Sequence, residues 1–241
     1  MAETLIARLW LKNLNELTRN PLNTLLLCVI FEDHKGVLPD SRTKLYVEIV
    51  LFVLRRYENK NDLPISDRDL LSVYKKELMI LGRMAQDSLE KKELYFEDNK
   101  ADLKGSLIGK FGFVSIQLGG TKVAPCLRYI FLHKSFQEFF SAFFLAFSII
   151  DGTLDCKSVA NEEYDNELSE VFTFMGGIVP MRSEATAVSI VKRHCISCKC
   201  VSPHIPCLSD APCIGFALYK RMQTFFRQPV HRLSPFIGQE S

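Results

Sequence analysis

The segment from Arg128 to Phe140 constrains the fold more than any other part of this 241-residue chain. It opens with RYIFL, which is mostly aromatic or β-branched and predicts a strand that ends at His133. Ser135 and Glu138 then have the spacing of a capping box, in which the serine hydroxyl accepts a backbone N–H and the glutamate reaches back to the serine N–H. We therefore expect a helix to begin directly after the strand, with His133 beside its first N–H groups.

The position of His133 is typical of an anion site. Free N–H groups and the positive dipole end of a helix attract phosphate, and an imidazole adds a donor whose pKa can be tuned near neutrality. A histidine at a strand end can also do no more than hydrogen-bond to its own backbone neighbours. Both interpretations stay open on local grounds, and the first points to a nucleotide.

Hydrophobic periodicity predicts helices over most of the remaining chain. Asn20 before Pro21 is a strong helix start, because asparagine caps well and proline suits the first helical position. A plain helix start is the favoured interpretation of Pro21, although its rigid ring can also pack flat against a base. Asp40 or Ser41 can cap a further helix.

A polar linker at 59–64 separates this helical block from the next part of the chain. Ser66 and Asp69 form a second capping box, which predicts a helix that continues through about Lys76. Farther on, Gly176 and Gly177 predict a break or a kink in a helix.

The hydrophobic period changes to strict alternation at Val114, Ile116 and Leu118, which predicts a strand. Gly119–Gly120 predicts a hairpin turn, and 123–132 is the returning strand. Helices followed by a hairpin and a further helix form a winged-helix arrangement, so the predicted fold class is mainly α. Its predicted parts are a helical bundle at 1–64, a winged-helix subdomain with a β-hairpin wing at 65–150, a second helical subdomain at 151–227, and a tail at 228–241.

Composition excludes several classes of function. The net charge is +2, with 30 basic and 28 acidic residues, and gives no global electrostatic reason to expect a nucleic-acid partner. Eight irregularly placed cysteines are too few for a disulfide scaffold and indicate a reducing compartment, the cytoplasm. No signal peptide is recognisable, and no apolar run reaches the roughly 20 residues that a membrane span needs.

The segment from Gly105 to Lys110 imitates a phosphate-binding loop but lacks its spacing. A P-loop has four residues between its glycines and a Ser or Thr after the lysine. Here three residues separate Gly105 from Gly109, and Phe111 follows Lys110. No other segment supplies a Walker A motif, so we do not expect this chain to be an enzyme.

Two further interpretations compete with a nucleotide function. A zinc module could be built on the Cys195-x-x-Cys198 pair with a second pair from Cys200, His204 or Cys207, but that spacing fits no established finger, and reduced thiols are favoured over zinc.

A DNA-binding winged helix is the other alternative. Its candidate recognition helix, near Lys100 to Ile108, sets Asp102 against Lys104 with Asp98 close by, which is a poor charge pattern for phosphate.

Several segments, in order over roughly Leu9 to Pro180, resemble the half of the NACHT module of NOD-like receptors that follows its nucleotide-binding core. The likeness covers the first helical subdomain, the winged helix with its histidine motif, and the start of the second helical subdomain. The segments are NPLNTLLLC at 20–28, LPDSRTKLY at 38–46, LGRMA at 81–85, FLHKSFQEFF at 131–140 and VFTFMGG at 171–177.

The resemblance implies a role for two residues. In that family the proline corresponding to Pro21 packs near the adenine of bound ADP, and the histidine corresponding to His133 contacts its β-phosphate. Both hold a closed, inactive state, and exchange to ATP releases the winged helix and permits oligomerisation. The implied process is cytoplasmic innate immune or cell-death signalling.

The resemblance also implies what this sequence does not contain. The family's Walker A and Walker B motifs, its effector domain and its leucine-rich repeats find no match, so we expect a fragment or a truncated paralogue. ADP or ATP binding then needs the nucleotide-binding core. The expected partners are that core, the repeats and further copies in an active oligomer, with no nucleic acid and no membrane.

Overall fold

The computed structural model describes residues 18, 21–64, 68–97, 106–120, 125–155 and 168–197, with backbone only at 125 and 191–197. Over these residues the chain is mainly helical with one small antiparallel sheet, which confirms the mainly α class. No described helix is both long and apolar enough to span a bilayer. The elements are α1 Pro21–Asp33, α2 Arg42–Lys60, α3 Leu70–Val73, α4 Lys75–Glu90, β1 Tyr95–Glu97, α5 Ile108–Phe111, β2 Val114–Gly120, β3 Pro125–Phe131, α6 Lys134–Ile150, α7 Ser169–Arg182 and α8 Glu184–Ser197.

The starts of α1 and α2 follow the predicted signals. Pro21 is the first residue of α1, where its missing N–H costs nothing because the first turn has no partner for it. Ser41 is the N-cap of α2, and its hydroxyl accepts the backbone N–H of Lys44 at 3.2 Å. Asp40 instead forms an ion pair with the ammonium group of Lys44 at 2.8 Å.

The predicted helix from Ser66 through Lys76 is wrong in two respects. Ser66 lies outside the described residues, and Asp69 is itself the N-cap of α3, accepting the N–H of Leu71 at 3.2 Å. The helix is also interrupted at Tyr74, whose φ of −99° and ψ of 19° separate α3 from α4. The phenolic hydroxyl of Tyr74 donates to buried Glu58 on α2, so a tertiary contact holds this residue outside regular helix geometry.

The predicted hairpin forms, but the prediction that Gly119–Gly120 is its turn is wrong, because both glycines belong to β2 and pair with β3. Residues 121–124, between the two strands, lie outside the described residues. β2 and β3 pair antiparallel, from Val114 opposite Phe131 at one end to Gly120 opposite Pro125 at the other. The sequence did not predict β1, which pairs with the other edge of β3 and completes a sheet of order β1-β3-β2. Phe96 on β1 stacks on Tyr129 of β3, with ring centroids 5.2 Å apart.

Helix α6 forms the centre of the core, packed against α4 on one side and α7 on another. Its aromatic residues Phe139, Phe140 and Phe143 are almost completely buried, and burial of each contributes roughly 2 kcal/mol of hydrophobic free energy. Polar contacts fix its register against α4, since the amide of Gln137 donates to the hydroxyl of Ser88 at 2.8 Å.

The predicted break at Gly176 and Gly177 is wrong, because α7 runs through both residues. A Cβ atom at Gly177 would lie 2.5 Å from the hydroxyl oxygen of Thr43 on α2. Close contact between two helices, and not a turn, therefore requires glycine at this position.

Candidate site at the start of helix α6

His133 is the residue that caps α6. Strand β3 ends at Phe131, α6 begins at Lys134, and His133 between them has extended backbone, with φ of −160° and ψ of 150°. Its ring Nδ1 lies 3.1 Å from the backbone nitrogen of Ser135 and accepts that N–H. One of the unpaired N–H groups of the first turn is thus satisfied by the histidine itself.

The predicted capping box of Ser135 and Glu138 is therefore wrong. Ser135 is the second helical residue, its side chain is buried, and its hydroxyl contacts Nδ1 of His133 at 2.7 Å. The same hydroxyl accepts the phenolic O–H of Tyr46 at 2.7 Å, so it is turned away from a capping position by a residue of α2. Glu138 faces Lys134 at 3.8 Å.

These contacts determine the tautomer of the neutral ring. A backbone N–H can only donate, so Nδ1 of His133 must be an acceptor, and the single proton of the neutral imidazole then resides on Nε2. The described part of the chain places no hydrogen-bond partner on Nε2 of His133. The arrangement therefore presents one N–H donor at the N-terminus of a helix.

Electrostatics keep this ring neutral. Burial lowers the pKa of His133, and the nearby positive charge of Arg42 lowers it further. The hydrogen bond from Ser135 to Nδ1 acts in the same direction, because it stabilises only the unprotonated nitrogen. At neutral pH the residue is thus an uncharged donor, which can approach an anion without the cost of burying a second charge.

Arg42 joins α2 to α7 beside this histidine. Its guanidinium lies over the ring of Phe174, 5.1 Å from the centroid, and over Tyr46 at 5.9 Å. Its Nη1 also donates to the carboxylate of Glu170 at 2.6 Å. The cation is thus held by two aromatic faces and one acid, and it remains near the N-terminus of α6.

The buried residue Tyr46 is the centre of these contacts. Its ring packs against Phe136, Phe139 and Phe174, with centroids 4.9 to 5.7 Å apart. Burial raises the pKa of the Tyr46 hydroxyl, although the bond to Ser135 opposes that effect. The phenol therefore remains protonated and acts as a donor.

The structure brings His133 together with Ser135, which was predicted here as the helix cap, and with Arg42 and Tyr46, which were not predicted for this site. Pro21, the other predicted contact, is the exposed first residue of α1. No hydrogen bond, ion pair or ring contact joins Pro21 to His133 in the residues that the structure describes. The one sequence signal for Arg42 and Tyr46 was their place in the segment LPDSRTKLY.

The competing sites are placed as follows. Gly109 and Lys110 belong to α5, and a Cβ on Gly109 would lie 2.7 Å from the side chain of Ile116, so this glycine packs against the hairpin. Within the described residues no three His, Cys, Asp or Glu side chains come close enough to hold a metal ion. The side chains of Cys195 through Cys213, and most of the candidate recognition helix, lie outside those residues.

Comparisons with known proteins assign no family. Neither the protein-family models nor the curated protein sequences match this chain. The likeness to NOD-like receptors therefore consists of the short motifs themselves, among them the one that contains His133.

Proposed function

We propose that this chain is the regulatory half of a NACHT-type, nucleotide-dependent signalling switch of the cytoplasm, in which His133 donates its Nε2–H to a phosphate of ADP. One observation carries the proposal. The Nδ1 atom of His133 is fully used by the start of α6, which leaves the opposite N–H to recognise a ligand.

The surroundings of His133 support a phosphate more than any other ligand. The N-terminal dipole of α6 favours an anion near His133, and the guanidinium of Arg42, although it is paired with Glu170, places a cation beside the ring. The neutral ring adds a directed donor, which costs less to desolvate than a further charge. ADP is the ligand that the histidine motif implies, and the structure supplies the donor chemistry for it.

The mechanism is differential binding of two conformations. Contacts from His133 to ADP stabilise the closed state and not the open state, so loss of those contacts shifts the population toward the open one. A shift from about 1:99 to about 99:1 needs about 5.5 kcal/mol of differential affinity. One charge-assisted hydrogen bond supplies about 1.5–3 kcal/mol, so His133 is one contributor among several. We propose that the closed state also needs the nucleotide-binding core, and that the open state is the one that oligomerises.

His133→Asn separates the two roles of this histidine. The Oδ1 of asparagine is as far from the backbone as Nδ1 of histidine, and asparagine is among the best capping residues. We expect the variant to keep α6 capped, within a few tenths of a kcal/mol, while it removes the distal donor. His133→Leu removes both and is expected to cost about 1 kcal/mol of stability through the lost cap.

The experiment uses a chain with a Walker A-containing NACHT core placed ahead of residue 1. Wild type, His133→Asn and His133→Gln are purified, and retained ADP and particle mass are measured. We expect His133→Asn to lose ADP and to oligomerise, and His133→Gln to retain part of the ADP because its amide can reach the position of Nε2. His34→Asn is the control, since His34 pairs with Glu48 at 3.3 Å on another part of the surface. If His133→Asn keeps wild-type ADP and remains monomeric, the proposed role is wrong.

A DNA-binding winged helix is less well supported. The hairpin that would serve as its wing carries Ile116, Leu118 and Leu127 in exposed positions, and Leu118 is 83% exposed. Arg128, the basic residue in the described parts of its two strands, is paired with Glu97 at 2.9 Å. A wing that contacts phosphate needs free cations, so strong, salt-dependent retention of duplex DNA would be required to revive this alternative.

A further inference from the structure

A chain of hydrogen bonds connects α2 to the ring of His133. The phenolic O–H of Tyr46 donates to the hydroxyl oxygen of Ser135 at 2.7 Å, and that oxygen lies 2.7 Å from Nδ1 of His133. Tyr46 is 1% exposed and Ser135 is 3% exposed, so water does not compete for these bonds. Tyr46 and Ser135 are 89 residues apart in sequence.

The direction of this chain follows from the number of protons. Tyr46 is held as a donor, and the hydroxyl of Ser135 has one hydrogen to give. Since Ser135 accepts from Tyr46, its hydrogen is free to point at Nδ1, which is an acceptor in the neutral ring. The donors are thus the hydroxyls of Tyr46 and Ser135 and the backbone N–H of Ser135. Each of them faces an acceptor only while the proton of the His133 ring is on Nε2.

We propose that Tyr46 and Ser135 are positioning residues that hold His133 with its N–H on Nε2 and its ring plane fixed, so that α2 controls the donor presented at the start of α6. We call the hydrogen-bonded series Tyr46–Ser135–His133 the relay, and its existence depends only on these contacts. Its identification as a control of ADP binding rests on the proposed function.

The position of α2 and the orientation of the His133 ring depend on each other. Tyr46 is wedged among Phe136, Phe139 and Phe174, so it cannot leave Ser135 unless α2 moves relative to α6 and α7. If α2 moves, the hydroxyl of Ser135 loses the donor that orients it and can rotate so that its hydrogen no longer points at Nδ1 of His133. The ring is then free to rotate, and its Nε2–H is no longer held in one direction. By linkage, a ligand on Nε2 in turn stabilises the docked position of α2.

Other charges near the ring are the same in all the variants below. Arg42 on α2 lowers the pKa of His133. Among the described residues, Glu170 on α7 pairs with Arg42, and Lys134 and Glu138 on α6 pair with each other. Replacement of a neutral hydroxyl at position 46 or 135 leaves each of them in place.

The experiment is an NMR titration of the histidine ring nitrogens in this chain. It compares wild type with Tyr46→Phe, Ser135→Ala and the double variant, and His133→Asn assigns the signals. We expect Tyr46→Phe to raise the protonation midpoint of His133, although no hydrogen bond joins the two side chains. Ser135→Ala is expected to raise it as well, and Tyr46→Phe is expected to add nothing in the Ser135→Ala background, because the relay is already interrupted.

The control is Tyr74→Phe, which also removes a buried hydroxyl with a hydrogen-bond partner, Glu58. It is expected to leave the midpoint of His133 unchanged. An unchanged midpoint in Tyr46→Phe, or additive effects of the two relay substitutions, would overturn the proposal. Should Tyr46→Phe not fold, the wild-type spectrum alone decides, since a ring with its proton on Nδ1 is incompatible with the relay.

The two proposals fail separately. Normal ADP retention in His133→Asn refutes the nucleotide role and leaves the relay unaffected. A midpoint that does not respond to Tyr46 refutes the relay and leaves the Nε2 donor unaffected.

Discussion

Gly82 on α4 lies directly against the backbone of Phe140 on α6. A Cβ atom on Gly82 would be 2.5 Å from the carbonyl oxygen of Phe140 and 2.7 Å from Cβ of Phe144. Neither atom is the end of a flexible side chain, so the two helices would have to separate. This contact sets the distance between α4 and α6, the helix that His133 caps.

Gly82→Ala is therefore expected to destabilise the fold. Overpacking costs roughly 1–3 kcal/mol, and the better helix propensity of alanine returns up to about 1 kcal/mol, which leaves a net loss on the order of 1–2 kcal/mol. Urea unfolding measures it. The control is Lys76→Ala, an exposed position on the same helix, which should stay within about 0.5 kcal/mol of wild type. A Gly82→Ala chain as stable as wild type would mean that α4 and α6 are not in this contact.

Stability should depend on pH through His133. Because its folded pKa is lowered from 6.5, the unfolded chain binds more protons than the folded chain below that value. The contribution of the neutral ring to the free energy of unfolding is complete above pH 6.5, and it is lost as pH falls through the folded pKa. Urea unfolding across this range should show a shallower decline for His133→Asn than for wild type. His34→Asn is the control and should follow wild type. If the free energy of unfolding of His133→Asn declined with falling pH as steeply as that of wild type, this role of His133 would be contradicted.

Glu138→Gln should stabilise the chain at neutral pH. Burial raises the pKa of Glu138 above 4.5, and the charge of Lys134 only partly offsets it. Between pH 4.5 and its folded pKa, Glu138 holds a proton in the folded chain that the unfolded chain releases. Its contribution to the free energy of unfolding is therefore complete below pH 4.5 and is lost as pH rises through the folded pKa. The variant lacks that decline. Its melting temperature should therefore exceed that of wild type at neutral pH, and the difference should disappear in acid. A variant that is less stable than wild type at neutral pH would mean that the ion pair with Lys134 dominates.

Arg42→Gln tests the electrostatic coupling between α2 and the site. Its positive charge is one of the causes that lower the pKa of His133, so the variant should raise the protonation midpoint of the ring. Loss of the partly buried ion pair with Glu170 should itself cost about 1 kcal/mol. Lys44→Gln, which removes a cation paired with Asp40, is the matched control. A midpoint that moves equally in both variants would indicate a general charge effect.

Local sequence patterns predicted the elements that depend on neighbouring residues. The alternation that begins at Val114 gave the hairpin, and Asn20 before Pro21 gave the start of α1. The junction between β3 and α6 was predicted at His133, because an aromatic strand and an apolar helix meet there. β1 was missed because three residues carry too little periodicity to be recognised.

The errors arose where distant parts of the chain meet. Ser135 has the spacing of a cap, but a hydrogen bond from Tyr46 holds its hydroxyl elsewhere. Gly177 follows another glycine, a pattern typical of a helix break, but it lies inside α7, where Thr43 of α2 packs against it. In both cases the deciding partner is more than 80 residues away, so no local pattern contains it, and the positioning role of Tyr46 was hidden for the same reason.

The most direct test of the central claim is the Nε2–H signal of His133 in the core-containing chain, recorded with ADP and with AMP. We predict that ADP shifts this signal and slows its exchange with water, because Nε2–H donates to the β-phosphate that AMP lacks. A signal that responds equally to both nucleotides, or to neither, would contradict the account.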